Sequence, residues 1–415
     1  MSVEPANSRA RLVPIVLAQS IGLLCGIIGV KITTRLVVPA DYGMYGVFLT
    51  FTPLGMWVVH AGLVKFVYRY WAEAPDRLGF WRTVRHATIR KLPWLALACA
   101  GAAVAIAQSK AVGVFAILFV AATALSFGAL GQAALQASRE HWRDVVVAGT
   151  GSLTRTFAPI ILYVLTGGAV AALFAGFAFH ALTLATAARL SVRLQWRKPV
   201  VEAQPRPAIH AVYEGPLFIV LALAGWTLTG LNRWLVAAFF GAAAAGQFTL
   251  ASNLAAIAPS VLITVFVQYF QPSLFAAECA SPAARQRLAR RVDRLAAGYW
   301  LCVLGAVAAV HLVSPMLVGI LISPGYQPAL RLILPAGGFA VALTTASIFD
   351  VMLLAGKCEK ACGLVDLSSA ALLVASGLLA ASCGSVWFER WLLVTPALPW
   401  LVNRPLARHF LFKAA

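Results

Sequence analysis

Acidic side chains are scarce in this chain. Asp and Glu number 14 against 33 Lys and Arg, and charged residues make up only 11% of the 415, while hydrophobic ones make up 61%. Globular chains carry about 25% charge, and here apolar runs of about 20 residues recur along almost the whole length. No stretch is left for a soluble domain, which excludes a soluble enzyme, a DNA-binding module and a secreted disulfide scaffold together. The seven cysteines are odd in number and lack paired spacing, so they give no disulfide framework. Cys25, Cys99, Cys302 and Cys383 lie in apolar runs, where a thiol behaves as a small hydrophobe. Cys358 and Cys362 are four apart but have no third ligand beside them in sequence, so no metal is assigned. The net charge of +19 would suit nucleic acid, yet basic residues confined to short loops between apolar runs are what membrane topology demands. No nucleic-acid partner is expected.

What is present is a series of membrane spans. Charges, prolines and glycines punctuate the runs into twelve, near 12–36, 43–66, 92–109, 111–137, 145–166, 169–189, 215–240, 246–270, 295–322, 328–355, 361–382 and 391–410. The first follows Arg9 and Arg11 and is too long for a signal-peptide core, so it is expected to stay as a helix. Alternate loops collect 26 of the 33 basic residues on one side, including Arg77 to Lys91, Arg189 to Arg206 and Arg285 to Arg294. The positive-inside rule then places both termini in the cytoplasm. Loops on the other side, such as Pro39 to Tyr42 and Thr166 to Gly168, are a few residues long. They leave no room for a catalytic domain of the kind that membrane glycosyltransferases and polysaccharide polymerases need, with Asp41 and Glu389 the only external acids, so the chain is not expected to be an enzyme.

The polar, proline-rich stretch Gln195 to Ala211 divides six spans from six. The expected organisation is an N-terminal six-helix lobe over 1–194, a cytoplasmic linker over 195–214 and a C-terminal six-helix lobe over 215–415. An even number of spans per half gives both the same orientation. A weak internal match supports a repeat: Gly43-Met44-Tyr45 pairs with Gly246-Gln247-Phe248, and Val64-Lys65-Phe66 with Val267-Gln268-Tyr269 at the same offset.

Three ordered segments carry a family resemblance. Thr34-Arg35-Leu36-Val37-Val38-Pro39-Ala40-Asp41-Tyr42-Gly43-Met44-Tyr45-Gly46 resembles the opening hairpin of oligosaccharide and polysaccharide flippases of the MATE-like superfamily. Leu231-Asn232-Arg233-Trp234 with Phe240 to Phe248 resembles the seventh and eighth helices of that family, and Ser314 to Leu321 followed by Pro324 to Ala329 its ninth-to-tenth connection. The resemblance implies an all-α polytopic membrane protein of about 12 helices in two lobes. It also implies a flippase that moves an undecaprenyl-diphosphate-linked oligosaccharide from the inner to the outer leaflet of a bacterial cytoplasmic membrane, by alternating access around a cationic cavity. Its partners would be the lipid-linked glycan, anionic lipids and the polysaccharide polymerase machinery. No cofactor is called for, and an ion gradient, its ion unspecified, is an available driving force. Two other transporter readings stay open. A major facilitator transporter also has six plus six spans, but the segment Glu73 to Lys91 lacks that family's glycine-arginine-aspartate motif. A drug exporter of the same superfamily would be expected to carry buried acids in its lobes.

Charges inside the spans are the candidate site residues, because a charge in hydrocarbon is costly and normally faces a lumen. Arg155 sits near mid-membrane, where its permanent charge and forked donors suit a diphosphate. The competing role is a brace on carbonyls loosened by Pro159. Lys31 and Arg35 share a helix face and, with Arg233, form an outer basic group that either receives the diphosphate or snorkels to the interface. His180, mid-span, is a further substrate-binding candidate, either a proton carrier or a neutral hydrogen-bonding residue. Asp350 and Asp366 are candidates for ion coupling, with pairing to Lys357 and Lys360 as the alternative. Gln19, Gln132, Gln136, Asn232, Asn253 and Gln268 either line a polar cavity or cross-link helices. Trp71, Trp81, Trp94, Trp142, Trp196, Trp391 and Trp400 are expected at the membrane interfaces, and the basic loops at anionic lipid.

Overall fold

The chain folds as long helices joined by tight turns. The computed structural model describes residues 8–71, 74, 76–107, 111–138, 140–194, 216–266, 270, 274, 281–317, 320–356 and 358–413. In chain order the helices are α1 (Ser8–Leu36), α2 (Pro39–Tyr70), α3 (Arg77–Ala107), α4 (Ala111–Ala137), α5 (His141–Leu165) and α6 (Val170–Arg193). They continue with α7 (Pro216–Ala255), α8 (Ile257–Val265), α9 (Pro282–Val313), α10 (Ile333–Ala355), α11 (Glu359–Ser382), α12 (Ser385–Val394) and α13 (Arg404–Lys413). The linker 195–214 lies outside the described residues. Eight segments among the described residues are long and apolar enough to cross a membrane, and the other long helices complete a polytopic membrane protein. Its exterior agrees: Val112, Leu165 and Leu401 are 84%, 74% and 73% exposed, an apolar surface that water would not tolerate and lipid does.

Local chemistry sets the helix ends. Gly167 and Gly168, at φ +68° and +94°, turn the chain between α5 and α6 and let the Gly168 N–H cap the Tyr163 carbonyl at 2.9 Å. Gly241, at φ +86°, breaks α7 into arms 216–240 and 242–255, the division expected between the seventh and eighth spans. Several expected boundaries are revised, among them the ninth, where 295–322 becomes α9 (Pro282–Val313). The third span, placed at 92–109, is the apolar half of α3, which starts at Arg77 after Asp76 accepts the Gly79 N–H at 2.8 Å. Pro93 suggested a start but lies within the helix, and the first half is amphipathic, burying Phe80, Trp81, Val84 and Ala87 while Arg82, Arg85 and Arg90 stay exposed. The last span, placed at 391–410, is not one helix. Pro396, Pro399 and Pro405 each withhold a backbone donor, and the segment runs as α12, short turns of 3₁₀ and π type, then α13.

Two compact units form, one of residues 1–37 and 48–222, the other of residues 38–47 and 223–415. In the first, Trp71 is fully buried with Leu63, Phe66, Phe80, Trp81 and Leu135, and its indole N–H donates to Ser138 Oγ at 2.8 Å. Trp71 and Trp81 are therefore core residues, not interfacial ones; a buried hydroxyl partner for the indole is invisible in a hydropathy profile. Trp94 and Trp142, by contrast, are exposed as expected. Small residues bring helices together: Gly131 lies against Ala188, and Gly176 against the backbone of Pro159 where α5 and α6 meet.

In the second unit α10 is central, with 16 of its 23 residues buried. Gly337 admits Val307 of α9, Gly338 the Leu392 carbonyl of α12, and Gly356 admits Leu411 of α13. Asp293 pins α13 to α9, accepting Arg404 Nε and Nη2 at 3.1 Å each and Arg408 Nη2 at 3.1 Å. The start of α2 also belongs to this unit and crosses the second arm of α7 at Gly43 and Gly246. A methyl group on Gly43 would strike the Ala242 carbonyl, and one on Gly246 would strike the Pro39 carbonyl. Each glycine thus meets the carbonyl four residues before the other. That reciprocity is what a local two-fold relation at the offset of the Gly43 and Gly246 sequence match produces.

Candidate functional site

The first unit holds four of the expected cations and imidazoles. Arg155 lies within α5, about 21 Å from His141 and about 15 Å from Leu165 at 1.5 Å per residue. It is exposed, and among the described residues no hydrogen bond or ion pair joins its guanidinium to a partner. The carbonyls near Pro159 do not hold it. Its electrostatic neighbour is His180 on α6, a buried residue at 4% exposure.

Thr154, beside Arg155 in sequence, orients that histidine. Its hydroxyl donates to the Thr150 carbonyl at 2.8 Å, and its oxygen lies 3.0 Å from His180 Nδ1. One hydrogen bond therefore joins Thr154 to Nδ1, its donor set by the ring tautomer, and Nε2 is the ring nitrogen that faces away from Thr154. Phe177, 5.2 Å from the imidazole between ring centroids, closes one side, and Gly151 leaves space by Cε1.

The outer cations of α1 fall into register with this group. Gly22 lies beside Ser152 and Gly29 beside Thr156, so α1 and α5 run parallel and in contact. Lys31 and Arg35 are two and six residues beyond Gly29, hence about 3 and about 9 Å further along the pair than Thr156. Both are exposed, and among the described residues neither side chain has an ion-pair partner. The structure therefore sets Arg155, Lys31 and Arg35 at successive levels of two adjoining helices.

Arg233 belongs to the second unit, in the first arm of α7. Its backbone N–H donates to Asn232 Oδ1 at 2.8 Å, and its Nη2 donates to Asn253 Oδ1 at 3.3 Å. Asn253 in turn donates through Nδ2 to the Tyr42 phenol oxygen at 2.9 Å, and Tyr42 meets Tyr326 edge-on at 6.1 Å between ring centroids.

Asp350 and Asp366 approach each other in the same unit. One ligand atom from each and the Cys362 sulfur all lie within 4.8 Å of one another. The expected pairing with Lys357 and Lys360 concerns side chains outside the described residues. The third ligand missing from the Cys358 and Cys362 pair in sequence is supplied to Cys362 in space, whereas Cys358 faces the Gly356 and Phe410 carbonyls.

Of the polar span residues, Gln136 cross-links α4 to Asp144 of α5 at 3.0 Å, while Asn232 and Asn253 serve Arg233. Gln268 lies outside the described residues. Sequence reasoning overlooked Thr154, named Tyr42 only as part of a turn segment, and set Cys362 aside for want of a third ligand. Thr154 had one available signal, since it directly precedes an intramembrane arginine.

This fold is shared with known transporters. Over 97% of this chain and 95% of the other, it is similar to a crystal structure of MATE in the straight conformation, with a TM-score of 0.62 at 14% identity. The lipid II flippase MurJ in an inward closed conformation matches 96% of this chain and 87% of its own at a TM-score of 0.58 and 11% identity. An outward-facing multidrug resistance MATE family transporter of the MOP superfamily matches with a TM-score of 0.58, at 15% identity over 98% and 93% of the two chains. None of the curated proteins matches the chain in sequence. The fold is thus MATE-like and not that of a major facilitator transporter, and by its match over residues 32–331, most of its length, the chain belongs to the Polysaccharide biosynthesis protein family.

Proposed function

We propose that this chain is a flippase that moves an undecaprenyl-diphosphate-linked oligosaccharide from the inner to the outer leaflet of a bacterial cytoplasmic membrane by alternating access. The observation that carries the reading is Arg155: an exposed, permanently charged fork near the middle of an apolar helix, without a bonding partner among the described residues. Placing such a charge in a membrane is costly unless it serves an anion or water. A diphosphate is the anion that membership of a polysaccharide biosynthesis family makes relevant, because glycans are assembled on lipid carriers through that linkage. Bidentate N–H donors match phosphate oxygens, and His180 adds a hydrogen-bonding imidazole for a sugar hydroxyl close by.

The steps of Lys31 and Arg35 along α1 extend the cationic path toward the outer leaflet, and Arg233 supplies a further cation from the other unit. Ion coupling falls to Asp350 and Asp366, with no particular ion assigned. On this reading the basic loops contact anionic lipid, each charge worth about 1 kcal/mol near the surface, and the polymerase machinery receives the product. The test is reconstitution into liposomes with a polyprenyl-diphosphate-linked oligosaccharide in both leaflets. Protein should let an external lectin reach glycan that protein-free vesicles protect. An unchanged protected fraction, together with movement of an organic cation, would instead make the chain a drug exporter.

Both termini and the 195–214 linker are placed in the cytoplasm. With native cysteines replaced, Gln204→Cys and Arg287→Cys should resist an impermeant thiol reagent in intact cells, and a cysteine in the loop between α5 and α6 should react. Ala169 suits the last probe better than Gly168, because Ala169 is exposed at φ −72° whereas Gly168 needs φ +94°. Labelling at Gln204 from outside would reverse the orientation.

A further inference from the structure

The cytoplasmic half of α3 carries a row of basic side chains that neither the core nor the cationic path uses. Arg82, His86 and Arg90 follow one another at four-residue steps, so they share one helix face at rises of about 6 Å. All three are exposed, and among the described residues no hydrogen bond or ion pair engages their side chains. The opposite face is fixed, with Phe80, Trp81, Val84 and Ala87 packed against Leu63 and Phe66 in the core of the first unit. The row is therefore presented outward on a helix that is held in place.

The same line continues as apolar surface. Leu97, Gly101 and Val104 follow Arg90 along this face, with Trp94 beside them, and Trp94, Leu97 and Val104 are 69%, 66% and 60% exposed. Nothing lies within 4 Å of a Cβ added at Gly101, so the line is notched between Leu97 and Val104. Cations at headgroup level that lead into an exposed apolar line match a lipid with an anionic head. One cation answers the single phosphate of an ordinary phospholipid, whereas three in succession match a head of two linked phosphates.

The second unit repeats this face. At one residue more than the offset of the glycine match, Arg290, Arg294, Leu301 and Gly305 of α9 stand where α3 has His86, Arg90, Leu97 and Gly101. All four are exposed, Leu301 at 64%, and Gly305 again has nothing within 4 Å of an added Cβ. The buried side has changed meanwhile, from Leu95 and Cys99 in α3 to Tyr299 and Val303 in α9. Bulk lipid accepts any apolar side chain, so an exposed face that keeps its basic, leucine and glycine positions while the core side varies points to a ligand. We propose that this face of α3 is a loading site, where the lipid-linked glycan docks in the cytoplasmic leaflet with its diphosphate on Arg82, His86 and Arg90 and its polyprenyl chain along Leu97, Gly101 and Val104. The matching face of α9 is a second site of the same kind. The identity of the lipid rests on the flippase reading.

Undecaprenyl diphosphate is the probe. Full-length protein carrying a photo-crosslinking side chain at Leu97, or at Leu372 as a control, is placed in phosphatidylcholine nanodiscs with the radiolabelled probe. Leu372 is 44% exposed on α11 and has no Lys or Arg within two turns. Crosslinking at Leu97 should well exceed that at Leu372, and unlabelled probe should displace it at a concentration at least about tenfold below that of phosphatidylglycerol. Arg82→Gln combined with Arg90→Gln should raise the half-maximal concentration at least about tenfold, the effect of losing one charge-assisted bond. Its unfolding temperature should stay unchanged, because both side chains are exposed. Equal crosslinking at the two positions, equal displacement by phosphatidylglycerol, or an unaltered half-maximal concentration in the double variant would each overturn the proposal. If the wild-type protein flips glycan and depends on Arg155 while Leu97 shows no preference for the diphosphate, only the loading site falls. If Leu97 prefers the diphosphate and the protein flips nothing, the flippase reading falls and the binding site stands.

Discussion

Replacing Arg155 by glutamine should nearly abolish glycan export at matched membrane abundance, whereas Arg155→Lys should keep part of it. Hydrogen bonds to charged groups contribute about 1.5–3 kcal/mol each, so loss of a single one slows passage roughly 10- to 100-fold, and a forked contact loses more. Lysine keeps the charge as a point donor but not the planar fork. Glutamine keeps a hydrogen-bonding group without charge. If Arg155 instead braced α5 near Pro159, glutamine would serve nearly as well as lysine, or both would lower abundance together. The absence of a bonding partner for its guanidinium among the described residues favours the first outcome. Near-normal export by Arg155→Gln, normalised to folded protein, would remove Arg155 from the site and leave Lys31, Arg35 and Arg233 as the cationic candidates.

A second large effect is expected at the glycine crossing. Gly246→Ala would set a methyl group on the Pro39 carbonyl, and Gly43→Ala one on the Ala242 carbonyl. Backbone atoms cannot swing aside as a side-chain tip can, so the helices must separate. Overpacking of this kind costs about 1–3 kcal/mol, against a gain of about 1 kcal/mol when a helical glycine becomes alanine. Gly26→Ala and Gly101→Ala provide the control, because nothing lies within 4 Å of an added Cβ at either position. In thermal unfolding followed by tryptophan fluorescence in detergent, the Gly43 and Gly246 variants should unfold at lower temperature than wild type, and the two controls at the same or a slightly higher one. Equal behaviour of all four would mean that the crossing is not tightly packed.

These two sites show unequal degrees of legibility. The helices were readable wherever a change of hydropathy coincided with a backbone signal: α4 runs over Ala111–Ala137, the boundaries expected for its span. Where the two signals parted, reading failed. Pro93 marks no boundary because proline near the middle of α3 is accommodated, and the amphipathic half before it packs its aromatic face into the core. Trp71 and Trp81 looked interfacial for the same reason, since composition cannot tell an indole that meets Ser138 from one that meets a headgroup. The Gly43 and Gly246 match was legible as sequence, but the reciprocal contact with Ala242 and Pro39 exists only in the folded chain. Intramembrane charges stood out individually because each is rare in an apolar run. Their companions did not: Thr154 and Tyr42 are ordinary residues until the fold brings them to His180 and Asn253, and Cys362, weighed only with Cys358, lies beside Asp350 and Asp366.

Translocation of a lipid-linked glycan is tested most directly in cells from which the gene has been deleted and to which it can be returned. The lipid-linked oligosaccharide should accumulate in the cytoplasmic leaflet, protected from an impermeant glycan-modifying reagent in intact cells and accessible once the membrane is opened. Restoring the wild-type chain should expose it on the outside, and Arg155→Gln at equal abundance should not. A lipid-linked pool that is equally accessible with and without the chain, while transport of a small solute falls, would contradict the account.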